Sequence, residues 1–309
     1  MISESSTTNK STSFFHLNIN SLNLHFDDFE TFLNSLKLKF DIIGLSETRI
    51  LSNATYNPFL SGYQSFTTAT EAFHGGTTLF ISDKLNSSRR QDLESLMYAP
   101  KILESTFVEI QNKNKPNVVV GTVYRHHALS PSDFNKTYLS PLLEKVNRQG
   151  KLLVLLGDFN LNLLDNTNNH VTEFIDTLSN YLMLPHINLP TRINKSSQTL
   201  IDNIFISPNS FDSVSGNFIS GISDHLPQFV ILNYSSKNTN VEGKTYKDWK
   251  KFNATDFKTE FQAFDWNAHL KLDDKDPSLS FDLFFNKLIE LVDRYNSHRK
   301  IDQKANPTQ

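Results

Sequence analysis

Lys151-Leu-Leu-Val-Leu-Leu156 is apolar almost throughout and runs straight into Gly157-Asp158-Phe159-Asn160. A strand without a polar face has to be covered on both sides, which places it at the centre of a layered α/β fold. Gly157 lets the backbone turn tightly, so Asp158 and Asn160 can project to one side of the strand end. The same design recurs along the chain. Ser13-Phe-Phe-His-Leu-Asn-Ile-Asn20 ends on carboxamides, Phe40-Asp-Ile-Ile-Gly-Leu45 runs into Ser46-Glu47-Thr48, and Val118-Val-Val-Gly-Thr-Val123 runs into Tyr124-Arg125. Leu200-Ile-Asp202-Asn203-Ile-Phe-Ile-Ser207 carries an acid and an amide inside a β-branched and aromatic run. Asp224-His225 directly precedes the apolar run Leu226-Pro-Gln-Phe-Val-Ile-Leu232.

Between these strands, the spacing of Phe29, Phe32, Leu33 and Leu36 predicts a helix over Asp27–Lys39. Ser130-Pro131-Ser132-Asp133 is a helix start with small polar caps and an early acid; the helix runs to Arg148, and Gly150 supplies the stop. Thr172–Leu182 reads as a further helix. After a loop-rich stretch, Gly75-Gly76 opens a strand at Thr77–Ile81, and Thr106–Ile110 pairs with Val118–Tyr124 across Asn112–Asn117. Thr199–Ser207 and Leu226–Leu232 complete the strands. Some strands follow one another directly while others alternate with helices. That mixture predicts two packed sheets with helices on the outer faces, not one doubly wound parallel sheet. Residues 1–12 read as a disordered leader and 234–245 as a linker, with helices beyond it at Phe252–Phe264 and Leu279–Tyr295.

Composition narrows the chemistry. With 38% hydrophobic and 20% charged residues, the 309-residue chain falls among soluble globular proteins rather than disordered ones. It has no cysteine, which excludes disulfide frameworks, thiolate-ligated zinc and thiol nucleophiles. The first residues lack the apolar core of a signal peptide, and no run approaches the roughly 20 apolar residues of a membrane span. The expected location is therefore nuclear or cytoplasmic, with no membrane partner, and sequons such as Asn53-Ala-Thr55 are expected to stay unmodified. A net charge of −3 argues against a protein that coats nucleic acid through bulk electrostatics, yet leaves room for a local basic patch and bound cations. Gly216-Asn-Phe-Ile-Ser-Gly221 has the glycine spacing of a P-loop, but Ile222 replaces the lysine, and no GxSxG, GxGxxG or HExxH occurs.

Each polar tip also has a reading without chemistry. Asn18 and Asn20 face one side of an extended strand, but asparagine also serves strand exits. Glu47 beside a buried strand needs a partner or a metal, and Arg49 is a candidate partner. Tyr124 and Arg125 could hold a phosphate or simply border the strand. His126 and His127, adjacent on an extended chain, point in opposite directions, which favours an exposed loop over a metal site. An Asx turn explains one of Asp158 and Asn160, less easily both. Asp202 is costly inside a strand unless paired, and His225 is the available partner. Together the tips offer carboxylates, amides, a phenol and one imidazole. That set suits hard cations and hydrolysis of phosphoesters by activated water, without a covalent intermediate.

In order, Leu17-Asn18-Ile-Asn20-Ser-Leu22, Gly44-Leu-Ser-Glu47-Thr48, Val123-Tyr124-Arg125, Gly157-Asp158-Phe-Asn160, Ile201-Asp202-Asn-Ile-Phe205 and Ser223-Asp224-His225 resemble the endonuclease/exonuclease/phosphatase superfamily. Thr199-Leu-Ile-Asp-Asn-Ile-Phe205, with Pro190-Thr-Arg192 upstream, is similar to the apurinic-endonuclease-like endonucleases of LINE-type non-LTR retrotransposons. The resemblance covers residues 13–234. It implies an α/β fold, a four-layer sandwich of two mixed β-sheets flanked by helices, with 235–309 as a linker and helical C-terminal extension. It further implies a DNA endonuclease that depends on one or two Mg²⁺ or Mn²⁺ ions and leaves a 3′-hydroxyl and a 5′-phosphate. A reverse transcriptase module of the same element would be its partner.

By position, Glu47 would ligate the metal with Asn18, Asn20 and Asp224. Asp158 would orient or deprotonate the attacking water, and Asn160 and Tyr124 would hold the scissile phosphate. His225, oriented by Asp202, would contact that phosphate, and Arg125, Arg192 and Lys195 are the candidate DNA-binding cations. His126-His127 stands where family members often carry proline, and Ser21 where they often carry glycine. The alternatives are a phosphatase of the same fold, acting on inositol phosphates or phospholipid headgroups, and a domesticated copy that binds without cutting.

Overall fold

The computed structural model describes residues 10–54, 57–112, 116–207, 212–234, 245–247, 252–270, 277–295 and 298–300. The proposed leader up to Asn9, most of the 234–245 linker, Thr55 of the sequon and part of the Asn112–Asn117 turn lie outside the described residues. Two units divide the chain, Met1–Ser236 and Lys237–Gln309.

In chain order the first unit contains β1 (Lys10–Asn18), α1 (Leu22–Ser35), β2 (Ile42–Ser46), β3 (Tyr63–Thr68), β4 (Thr77–Ser82), β5 (Ser87–Arg89), α2 (Gln91–Glu94), β6 (Leu103–Ile110) and β7 (Val118–Arg125). There follow α3 (Pro131–Asp133), which passes through a π-helical turn (Phe134–Leu139) into α4 (Ser140–Arg148), then β8 (Leu152–Asp158) and α5 (Asn169–Ser179). Short strands β9 (Leu184–Pro185), β10 (Arg192–Ile193) and β11 (Gln198–Thr199) lead to β12 (Asp202–Ile206), β13 (Asp212–Asn217) and β14 (Gln228–Tyr234).

Alternation within β1 shows how the layers arise. Phe14 joins Ile42, Leu79, Val120, Leu156 and Ile204 in the core between the two sheets, whereas Phe15 and Leu17 pack with Phe29 of α1 on the outer face. A third cluster, including Phe107, Val123, Leu143, Leu155 and Phe174, lies on the outer face of the second sheet, under α4 and α5. The sheets are six-stranded, ordered β13-β14-β1-β2-β4-β3 and β5-β6-β7-β8-β12-β9. This is the four-layer sandwich of mixed sheets.

One parallel pair in each sheet makes the sheets mixed: β1 with β2 and β7 with β8. The polar tips of all four strands therefore leave at their C-terminal ends. β12 and β14 are antiparallel to their neighbours β8 and β1, so it is their starts that lie beside those ends. At Gly157 a Cβ would fall 2.2 Å from the Val123 carbonyl oxygen, so β7 and β8 can close on each other there only around a glycine.

Some boundaries depart from expectation. β1 starts at Lys10, three residues into the proposed leader, and stops at Asn18, so Asn20 belongs to the turn beyond it. α1 starts at Leu22 rather than Asp27. The stretch read as loop-rich holds β3, and β13 had no counterpart in the sequence reading. The second unit, taken by itself, contains β15 (Thr245–Lys247), α6 (Ala254–Ala263), α7 (Trp266–Leu270), α8 (Pro277–Arg294) and β16 (His298–Lys300). Its two longer helices fall where the sequence places them, and Trp266 Nε1 donates to the Phe261 carbonyl at 2.8 Å.

Candidate active site

The converging strand ends open on a cleft of about 300 Å³ lined by Asn18, Asn20, Glu47, Arg49, His74, Tyr124, His126, His127, Asp158, Asn160, Arg192, Asp224 and His225. Asp158 and Asp202 are directly paired across β8 and β12. Two carboxylates so close are electrostatically unfavourable, and their surroundings push them apart. Asp202 Oδ2 accepts from His225 Nδ1 at 2.8 Å and from Thr191 Oγ1 at 2.7 Å. Burial alone would raise its carboxyl, but His225, then His16 and the Thr191 hydroxyl, hold it below the ordinary value. Burial alone would lower His225; Asp202 outweighs that and lifts the imidazole to about 9. Asp158 goes the other way. Burial, reinforced by Asp202, pushes it up to about 7, against the opposing influence of His225, the Asn160 amide and Asn18.

Asn18 joins the two halves of the cleft, its Nδ2 donating to Asp158 Oδ2 at 2.9 Å and to Glu47 Oε1 at 3.0 Å. Glu47 Oε2 lies 3.6 Å from Arg49 Nη2 and 3.5 Å from His74 Nδ1. The Tyr124 phenol is pushed far above its ordinary value by burial and then by the charges of Glu47 and Asp158, so it stays a hydrogen-bond donor. Four cleft residues hold left-handed backbone, Asn20 at φ 51°, Glu47 at 50°, Arg49 at 54° and Asn160 at 48°. Ser21, where glycine is common in the resembled family, has φ 103°.

The donor set fits a divalent cation. Asp158, Asp202 and His225 present ligand atoms within 4.8 Å of one another, and Glu47 adds a further carboxylate to the same cleft. Carboxylate oxygens favour a hard ion. The negative charge that lifts Tyr124 is charge such an ion would neutralise.

The structure commits several of the expected residues to partners within the protein. Arg125 is turned inward, away from the cleft. It is 2% exposed, and its guanidinium donates to the carbonyls of Phe159 (2.5 Å), Leu129 and Asn160 (2.9 Å), bracing the turn after β8. Asp224 gives its Oδ2 to Arg192, 2.8 Å from Nε and 2.6 Å from Nη2, so the two neutralise each other rather than standing free for metal and phosphate. The Asn20 amide oxygen accepts from Arg49. Asn160 is half committed, its Nδ2 donating to the Arg125 carbonyl at 2.8 Å. His126 and His127 do not point apart: their ring centroids are 3.9 Å from each other, and both line the cleft. Lys195 is not among the lining residues; it sits in the β10–β11 turn organised by the Asn194 side chain. His74 was missed, because nothing in its local sequence signals a site.

Glu104, opposite Tyr124 on β6, was missed as well. It is buried, accepts from Thr70 Oγ1 at 2.9 Å, and lies so close beneath Gly75 that a Cβ there would be 2.5 Å from its Oε2. Burial, together with Glu47 and Glu71, raises it to about 7 against the Thr70 hydroxyl and the Gly76 amide. A carboxyl whose folded value is raised stabilises the fold below its unfolded value and loses that contribution as pH rises through the folded one. The Tm of Glu104→Gln is therefore expected to fall less than that of the parent between about pH 5 and about pH 8. Parallel Tm curves for the two proteins would refute this.

Paired mixed sheets carrying an open, acid-rich cleft with an Asp-held imidazole define a class of phosphoester hydrolases. The chain belongs to the endonuclease/exonuclease/phosphatase family, whose model matches residues 15–225. Its fold is similar to the APE2 catalytic domain of Xenopus laevis, at 17% identity and a TM-score of 0.52, over 72% of this chain and 92% of that one. It is also similar to the AP endonuclease LMAP of Leishmania major, at 12% identity and a TM-score of 0.56, over 73% and 88%. A point variant of the 3′ phosphatase NExo from Neisseria, solved bound to a product DNA hairpin, matches at 15% identity and a TM-score of 0.53, over 72% and 100%. No curated protein sequence matches the chain. Among the described residues, no helix is long and apolar enough to cross a membrane.

Proposed function

We propose that the protein is a divalent-cation-dependent DNA endonuclease that cleaves a phosphodiester bond to leave a 3′-hydroxyl and a 5′-phosphate, in the manner of the nicking enzyme of a non-LTR retrotransposon. The observation that carries this reading is one cleft that brings together Asp158, bonded by Asn18, and His225, held at Nδ1 by Asp202, and pushes the two to different values. Titratable neighbours driven apart in this way divide into base and acid. Asp158, poised near neutrality and held by the Asn18 amide, takes a proton from the attacking water. His225, charged and fixed at Nδ1 by Asp202, turns its other nitrogen to a phosphate oxygen, and the Tyr124 phenol donates to the same group as charge develops. Glu47 is the residue that would hold Mg²⁺ or Mn²⁺, which would supply charge neutralisation at the phosphate when bound. The retrotransposon origin and a reverse transcriptase partner rest on the Pro190–Phe205 wording alone. DNA as substrate is favoured by what the AP endonuclease and the DNA-bound NExo are named for.

The test is nicking of supercoiled plasmid with Mg²⁺ and with a chelator, beside inositol phosphates and a 3′-phosphorylated oligonucleotide. Nicking that the chelator stops supports the proposal; turnover of the phosphomonoesters alone reassigns the protein as a phosphatase, and inertness on all of them as a binding protein. His225→Ala is expected to lower nicking roughly 10³-fold, and Asp202→Asn roughly 10²-fold. A larger loss at Asp202 than at His225 would overturn the assigned order of roles.

A further inference from the structure

His16 lies beneath the cleft on the inner face of β1, an imidazole that the proposed chemistry leaves without a task. Phe14, His16 and Asn18 share that face. Phe14 belongs to the inter-sheet core and Asn18 bonds Asp158, so His16 stands where the apolar layer gives way to the site. It is 0% exposed. Its Nδ1 is 2.6 Å from Gln228 Oε1 on β14, and its Nε2 is 3.2 Å from Ser46 Oγ on β2. Both partners are themselves buried, so three adjacent strands each give a polar side chain to this one spot.

The hydrogen bonds decide the tautomer. Gln228 Nε2 donates to the Leu226 carbonyl, which leaves the amide oxygen facing His16, and that oxygen can only accept. The proton therefore sits on Nδ1, and Nε2 accepts from the Ser46 hydroxyl. Nδ1, its proton directed to Gln228, is 4.0 Å from Asp202 Oδ1 across the gap between the sheets, a charge–dipole contact and not a hydrogen bond. Asp202 Oδ2 is fully engaged with His225 and Thr191, whereas Oδ1 is buried and takes no hydrogen bond. A buried anionic oxygen without a donor is held by the nearest dipole or turns to find one.

We propose that His16 is a positioning residue: clamped between Gln228 and Ser46, it sets the positive side of its ring dipole against Asp202 Oδ1, keeping Oδ2 on His225 Nδ1 and the outer nitrogen of His225 toward the substrate. An apolar side chain would fill the space at lower cost, since a buried polar trio gains little stability over hydrocarbon of equal volume. Its effect on turnover depends on the cleft being a phosphodiester hydrolase. Its effect on the Asp202–His225 hydrogen bond does not.

Two variants of the full chain separate these effects. His16→Asn keeps a donor near the Nδ1 position, and His16→Leu removes it. In proton–nitrogen spectra of the free protein, the His225 Nδ1–H resonance, assigned by its loss in His225→Ala, is expected to move upfield in His16→Leu and to return in His16→Asn. In plasmid nicking, His16→Leu should lower kcat roughly tenfold with KM little changed, and His16→Asn should recover most of it. An unshifted resonance in folded His16→Leu overturns the proposal, as does an equal loss in both variants. Should His16→Leu fail to fold, Gln228→Met, which frees the imidazole, must shift the same resonance or the proposal falls. Should the parent chain not nick DNA at all, the hydrolase reading fails while the resonance still decides the role of His16.

Discussion

Asp158→Asn is expected to lower plasmid nicking by about 10³-fold, the middle of the range that a positioned general base supplies, while leaving the protein at least as stable as the parent. The two halves of this expectation have one cause. Asp158 is 1% exposed and faces Asp202 across a strand pair, so its charge is costly to the folded state. An amide of the same shape keeps the hydrogen bond from the Asn160 N–H, present at 2.9 Å, gives up the one from Asn18 Nδ2, and removes the repulsion, which is the larger effect. It cannot take a proton from water. Rate and Tm should therefore separate, with KM for DNA moving little. A variant that nicks within tenfold of the parent would remove Asp158 as the base; one that unfolds would show that its charge supports the structure.

Arg125→Met is expected to do the reverse, costing about 3 kcal/mol of stability and leaving KM for DNA unchanged. Three carbonyls, those of Phe159, Leu129 and Asn160, lose their donor in a buried place, each at a cost of about 1 kcal/mol or more. The guanidinium, pulled down to about 10 by burial, is still charged at neutral pH and stands within 5.9 Å of the Phe134 ring. Methionine keeps the length of the side chain without the donors. A fall in Tm of about 10 °C follows for a domain of this size. Weakened DNA binding with an unchanged Tm would restore Arg125 to the substrate side.

These two residues also mark what can be read from the chain alone. The strand cores were legible because burial on both faces leaves a run such as Leu152–Leu156 nowhere to hide a polar group. The pairing of Asp202 with His225 was legible too, since an acid inside Ile201–Ile206 demands a partner. Direction was not. Tyr124 and Arg125 are consecutive on one strand, so only one of them can face the cleft, and the register that decides between them is set by β6 and β8. Asp224 was claimed by an arginine 32 positions away, a contact no local pattern reveals. Edge strands escaped for another reason. β3 is half-exposed along its length, and β13, Asp-Ser-Val-Ser-Gly-Asn, has the composition of a loop.

The left-handed backbone at Asn20, Glu47 and Asn160 has an energetic consequence. Such a conformation costs an ordinary residue roughly 1 kcal/mol, least for asparagine and nothing for glycine. At two of the three positions the chain carries the residue type that tolerates it best. At 47 it carries glutamate, for which the shape of the main chain offers no inducement. Replacing that glutamate by asparagine or glycine would relieve the main chain and gain thermal robustness. The acid thus stands at that corner against the preference of the backbone, as a side chain kept for its chemistry would.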